Sequence, residues 1–190
     1  SKIRTDMTVK EFLIKSDVCR DQEELRKQIE ELPKPEFIGN KRTPSDLNDI
    51  TMGQLIMLQS MGDSKDVALI PCKTLLCMEE KEILSAKAET ILGFSMWVIT
   101  EVDRINKLFS STSIELTPIQ KRAGYGNLKF GAFGLIHRYA RMMGISNHED
   151  VEEVPWIRVY ECFRMEKEIA LCQIRETKIR EEEYKLKSKR

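Results

Sequence analysis

The chain has 190 residues, with 31 Lys and Arg against 31 Asp and Glu. A formal net charge of zero argues against duplex binding by bulk positive charge and leaves only local basic patches for a polyanion. Hydrophobic residues at 41% exclude general disorder, and a mass of 22.1 kDa allows a sizeable core without a disulfide or metal staple.

The hydrophobic spacing is mainly helical. Thr8 and Glu11 form a capping box that opens a short helix with Val9, Phe12 and Leu13 on one side. Asp21 and Glu24 open a second helix, which stops near Leu32 because Pro33 and Pro35 follow. Residues 1–32 therefore read as an N-terminal helical arm. Its apolar residues, Leu25, Ile29 and Leu32 among them, are too few for an independent core, so the arm must lie on the body or on a neighbour. Residues 33–50 contain Pro33, Pro35, Pro44 and Gly39 and read as an extended or irregular linker.

The body, residues 51–154, opens on a further capping box, Thr51 with Gln54, and Ile50 and Leu55 have the spacing of a hydrophobic staple. From Ser64 to Met78 the spacing predicts a helix with Val67, Ile70, Leu75 and Leu76 inward, kinked or split at Pro71. Residues 79–109 carry enough helical pattern for two or three packed helices, with a break near Gly93 to Ser95 and Trp97 in the core. Thr117, Pro118 and Gln120 give the clearest start signal in the chain, and Gly124 and Gly126 end that helix. A helix over 128–143 follows, with Phe130, Phe133, Leu135, Ile136 and Tyr139 apolar and Gly144 as its stop. Pro155 opens a last helix, where Trp156, Val159, Phe163, Ala170 and Ile174 make a stripe that reads as buried. Over 155–187 that helix would be about 50 Å long and project beyond a globule of about 40 Å. Strand signals are weak, with no Asn-Gly or Asp-Gly hairpin between candidate strands. The expected fold class is all-α: a helical bundle with an N-terminal helical arm and a long projecting C-terminal helix, residues 155–190.

No catalytic, cofactor-binding or metal constellation is expected. His137 and His148 are the only histidines and lack ligand spacing to each other or to any cysteine. His148, Glu149 and Asp150 read as a helix-start cluster whose acids complement the dipole. The glycines from Gly124 to Gly134 fit neither dinucleotide nor P-loop spacing, and read as a turn followed by a close helix–helix contact through Gly131 and Gly134. Lys121, Arg122, Lys129, Arg138 and Arg141 interleave with Tyr125, Phe130, Phe133 and Tyr139, a mixture able to bind nucleic acid. At helical spacing, however, the aromatics read as core and the bases as a solvated rim. Cys19, Cys72, Cys77, Cys162 and Cys172 are odd in number and lack C-x-x-C spacing, so reduced structural thiols are expected. The opening SKIRTDMTVKEFLIKS has no apolar run for a signal peptide, and no stretch approaches the roughly 20 apolar residues of a membrane span. A soluble chain made in the cytoplasm, without a membrane partner, is the expectation.

From Thr43 to Ile145 the pieces TPSDLNDITMGQLIMLQSM, LIPCKTLLCM and TPIQKRAG leading into LKFGAFGLIHRYARMMGI resemble a loose family of small helical proteins encoded by tailed bacteriophages, especially crAss-like and related phages of Bacteroidetes. The resemblance implies a virion structural or tail-assembly component without catalytic residues, synthesised in the host cytoplasm and located in the virion. It implies other copies of the chain and other phage structural proteins as partners, for example in a portal or tail ring. The alternatives are a transient tail or capsid assembly chaperone, and a nucleic-acid-binding regulatory factor using residues 121–141, against which the zero net charge counts. Candidate partner contacts are Phe12, Leu13 and Ile29 in the arm, and Arg175, Lys178, Ile179, Arg180, Tyr184 and Leu186 in the last helix. There, complementary charge can set register between repeated subunits.

Overall fold

The computed structural model describes residues 6–17 and 22–188, so Cys19 and the helix-opening Asp21 lie outside the described residues. It is an all-α protein with a long C-terminal helix and one small hairpin. Two compact units divide the chain, Ser1–Ile105 and Asn106–Arg190. None of the described helices is long and apolar enough to cross a membrane.

The first unit contains α1 (Val9–Asp17), α2 (Gln22–Glu30), the strands β1 (Phe37–Ile38) and β2 (Lys41–Arg42), α3 (Met52–Gln59), α4 (Ser64–Leu76), α5 (Glu80–Ser85) and most of α6 (Ala88–Ser111). The capping box of α1 is formed. Thr8 N–H donates to Glu11 Oε2 at 2.9 Å and Glu11 N–H donates to Thr8 Oγ1 at 3.3 Å, which holds the Glu11 carboxyl below its ordinary pKa. Two backbone bonds, Val9 N to Ala86 O at 3.0 Å and Ala88 N to Met7 O at 2.8 Å, fasten this segment to the α5–α6 junction. Met7, Phe12 and Leu25 are buried against Ala88 and Leu92, with Leu13, Ile29 and Leu32 packed on them. The arm lies on its own chain.

The linker is more ordered than its prolines suggest. A two-residue loop, Gly39-Asn40, joins the antiparallel strands, and Gly39 supplies the positive φ of +59° that the turn needs. Ile38 is buried, and Lys41 Nζ donates to the Leu76 and Cys77 carbonyls at 2.9 Å, closing the C-terminus of α4. Lys34 Nζ, which donates to the Pro44 carbonyl, lies 3.8 Å from the centre of the Trp97 ring.

Three expectations need correction in this unit. Pro71 does not split α4; it is buried within a continuous helix whose inward residues are Ala68, Leu69, Cys72 and Leu76, with Val67, Ile70 and Leu75 half-buried. Trp97 is half-buried rather than buried, with Lys34 over its ring and Phe94 stacked against it. The break expected at Gly93 to Ser95 falls instead at Ala86-Lys87, and α6 runs unbroken through Gly93. Gly93 serves a close approach: a Cβ there would collide with the Pro33 carbonyl oxygen.

The second unit holds the end of α6, α7 (Pro118–Arg122), a 3-10 turn at Tyr125–Asn127, α8 (Gly131–Met143), α9 (Glu149–Glu152) and α10 (Trp156–Lys187). Phe109 packs against Trp156, Tyr160 and Phe163 with ring centroids 6.1, 6.0 and 6.2 Å apart. Ile136, Tyr139 and Ala140 of α8, Val151 of α9 and Val159 of α10 are also buried. The α7 capping box is formed by Thr117 and Gln120 as the sequence predicts, and Gly144 stops α8 with φ +66°. The stripe along α10 is buried at Trp156, Val159 and Phe163 but fades at Ala170 and Ile174, the latter 42% exposed. From Cys172 to Ser188 every residue is exposed.

The Gly93 contact makes a discriminating prediction. In an ordinary helix Gly→Ala gains up to ~1 kcal/mol. Here Gly93→Ala should destabilise by roughly 1–3 kcal/mol, because backbone must move to admit the methyl group. Urea unfolding checks the sign, and a gain in stability would contradict the packing of Pro33 on α6.

Candidate functional site

α8 is sided. Ile136, Tyr139 and Ala140 face the core, which turns Phe130, Phe133, His137 and Arg141, spaced at three and four residues, toward solvent. Phe130 is 67% exposed, Phe133 60% and Tyr125 in the preceding turn 54%. This corrects the reading of those aromatics as core; among the four interleaved with the bases, Tyr139 alone is buried. The glycines also act differently from expectation. Gly134 lies against the side chain of Phe130 in its own helix, and Gly131, with φ +57°, has open space around it, so neither makes a helix–helix contact.

Arg138 fixes the orientation of the helix. Its guanidinium sits 4.2 Å from the centre of the Phe163 ring and reaches Glu166 Oε2 at 3.0 Å. On either side of this pair runs an open groove. One, of about 820 Å³, is walled by Phe130, Phe133, His137 and Arg141; the other, of about 810 Å³, by Leu116, Tyr125, Leu128 and Ile169.

The fold brings the two histidines together, although nothing in their spacing announces it. His137 Nδ1 and His148 Nε2 are 3.3 Å apart, a contact in which one ring must donate and the other accept. Phe133 stacks on His137, centroids 6.4 Å apart at 19°, and meets His148 edge-on at 5.1 Å. The signal in the sequence is Gly144, whose left-handed turn folds the chain back between them. A separation of 3.3 Å matches the edge of a tetrahedral metal site, about 3.3–3.4 Å for metal–nitrogen bonds near 2.0–2.1 Å. Among the described residues, however, no third His, Cys, Asp or Glu completes a ligand group there or elsewhere.

The contact candidates read from sequence separate into two groups. Phe12 is buried, and Leu13 and Ile29 are half-buried, all in the core formed with α6, so of the two placements expected for the arm they take the one on the body. Arg175, Lys178, Ile179, Arg180, Tyr184 and Leu186 are all exposed on α10. Arg180 pairs with Glu176 at 2.6 Å, and Arg175 donates to Cys172 Sγ at 3.0 Å.

No family model, curated protein or solved structure matches the chain.

The described thiols differ sharply in environment. Cys72 is fully buried, and burial, with the Glu82 charge adding, pushes its thiol up to about 12, whereas Cys77 and Cys172 are exposed. Alkylation of the native protein at mildly alkaline pH should label Cys77 and Cys172 and spare Cys72 until the chain is unfolded. Peptide mass mapping reads this, and prompt labelling of Cys72 would contradict the packing of α4.

Proposed function

We propose that this protein is a non-enzymatic assembly component that acts through protein–protein contacts of α10, and that its first partner is a second copy of itself. One observation carries the reading: Met165, Cys172, Ile179 and Leu186 recur every seven residues along α10 and all are exposed. Such a row drifts only about 20° per heptad, so it makes one continuous apolar line. With Ile169, Glu176 and Glu183 it has the spacing of a coiled-coil seam.

Charge selects the direction of pairing. Parallel helices would set Glu176 against Glu176 and Glu183 against Glu183. Antiparallel helices place Glu176 beside Ile179, Glu183 beside Cys172 and Ile169 beside Leu186, and bring Arg175 opposite Glu182. The antiparallel arrangement removes like-charge contact and adds complementary pairs. Two acidic residues in the seam keep the association weak and reversible. The particle setting, a structural component of a tailed phage, rests on the resemblance of residues 43–145; recovery of several copies per purified particle would support it.

Sedimentation velocity over a concentration series tests the self-association. The full chain should dimerise reversibly, while a truncation after Gln173 and an Ile179→Asp/Leu186→Asp variant should stay monomeric. Because these side chains are exposed, the stability of both should change by no more than ~0.5 kcal/mol. Under oxidation, Glu183→Cys should yield a cross-linked dimer through Cys172, which the natural chain does not form at that position. A full chain that is monomeric throughout would overturn the reading, and a Cys172–Cys172 cross-link would overturn its direction.

A further inference from the structure

We propose that the outward face of α8, with the turn before it, binds single-stranded nucleic acid. The inference does not rest on the self-association above; the groove that Tyr125 shares with Ile169 borders both surfaces.

The positive charge is concentrated locally. Between Glu115 and Glu149 there is no Asp or Glu, while Lys121, Arg122, Lys129, Arg138 and Arg141 all fall in that interval. A chain with zero net charge therefore carries an acid-free basic segment, and the structure sets Arg138 and Arg141 of that segment in one groove with Phe130 and Phe133. Lys121 is engaged with Glu115 at 3.2 Å and Arg138 with Glu166 at 3.0 Å. Arg122, Lys129 and Arg141 have no acidic partner among the described residues, so a polyanion would meet them without first breaking an ion pair. Glu166, the carboxylate in the groove wall, is already held by Arg138. The acids of α9 lie next to His148, which disfavours a phosphate beside that ring.

The exposed rings decide the kind of polyanion. Tyr125, Phe130 and Phe133 expose more than half of their surface, and Arg141 lines one groove with Phe130 and Phe133, an arrangement costly in water and suited to stacking unpaired bases. A duplex keeps its bases stacked on one another and offers such rings nothing. An acidic peptide would satisfy the cations but leave the rings without flat partners. The open groove of about 820 Å³ between Phe130, Phe133, His137 and Arg141 gives a base and its sugar room to lie against the rings.

Fluorescence anisotropy of the full chain with a fluorescein-labelled oligothymidylate, and with a duplex of equal length, tests this. The single strand should bind more tightly than the duplex, with an affinity that falls as salt rises. Phe130→Ala/Phe133→Ala should weaken binding at least about tenfold, since each lost stack is worth roughly 1–3 kcal/mol. Lys129→Gln/Arg141→Gln should weaken it and flatten the log–log salt slope by roughly 1.4. Photocross-linking of the unsubstituted protein to an iodouracil-containing strand, mapped by mass spectrometry, should place adducts on the peptide from 125 to 133 and avoids any folding defect of the variants. The proposal is overturned by no binding at low salt, by duplex binding as tight as single-strand binding, by an unchanged affinity in the aromatic variant, or by displacement with polyglutamate of equal charge. Adducts mapping elsewhere would overturn it as well.

Discussion

Arg138 is the side chain on which the arrangement of the second unit turns. Its guanidinium lies on the Phe163 ring and holds Glu166, so a single residue ties α8 to the aromatic cluster at the start of α10. Each contact is modest, about 0.5–1 kcal/mol for a partly exposed cation on a ring and up to about 1 for a half-exposed ion pair. Together with the burial of Ile136, Tyr139 and Ala140 they fix the rotation of α8 about its axis. That rotation determines everything on the opposite side. With the core-facing positions taken, Phe130, Phe133, His137 and Arg141 have nowhere to go but outward, so exposed rings and an unpaired cation share one groove.

The parts of this fold that were legible in the sequence are those decided within four residues. Each capping box reads correctly, at Thr8, Thr51 and Thr117, because donor, acceptor and spacing all lie inside one turn. The αL stop at Gly144 and the uninterrupted run of α10 are local in the same sense. What failed depends on which distant element covers a residue. α8 carries apolar side chains on two faces, and periodicity alone does not say which face meets α10. Gly93 reads equally as a helix break or as a site of close approach, and only the position of Pro33 separates the two. Phe12, Leu13 and Ile29 form an apolar stripe whether they meet α6 or another molecule. The meeting of His137 with His148 needs the geometry of the Gly144 turn, which spacing does not encode.

The two surfaces differ in their physical character. The second half of α10 is rich in charges of both signs, with apolar residues too widely spaced to bury a helix against a globular core. The face of α8 is single-signed and aromatic. A net charge of zero conceals the difference, because the acids that balance Lys121, Arg122, Lys129 and Arg141 lie in other elements. Charge taken over the whole chain is thus a poor guide to what one face can hold, and the local sum is the relevant one.

The claim on which this account depends is that α8 turns its aromatic residues away from the core. Hydroxyl-radical footprinting of the free protein, read by peptide mass spectrometry, measures it side chain by side chain. Phe130, Phe133 and Tyr125 should oxidise rapidly, while Phe109, Tyr139 and Phe163, of similar intrinsic reactivity, should be protected. Protection of Phe130 and Phe133 to the level of Tyr139 would mean that α8 is rotated or covered, and would contradict the account.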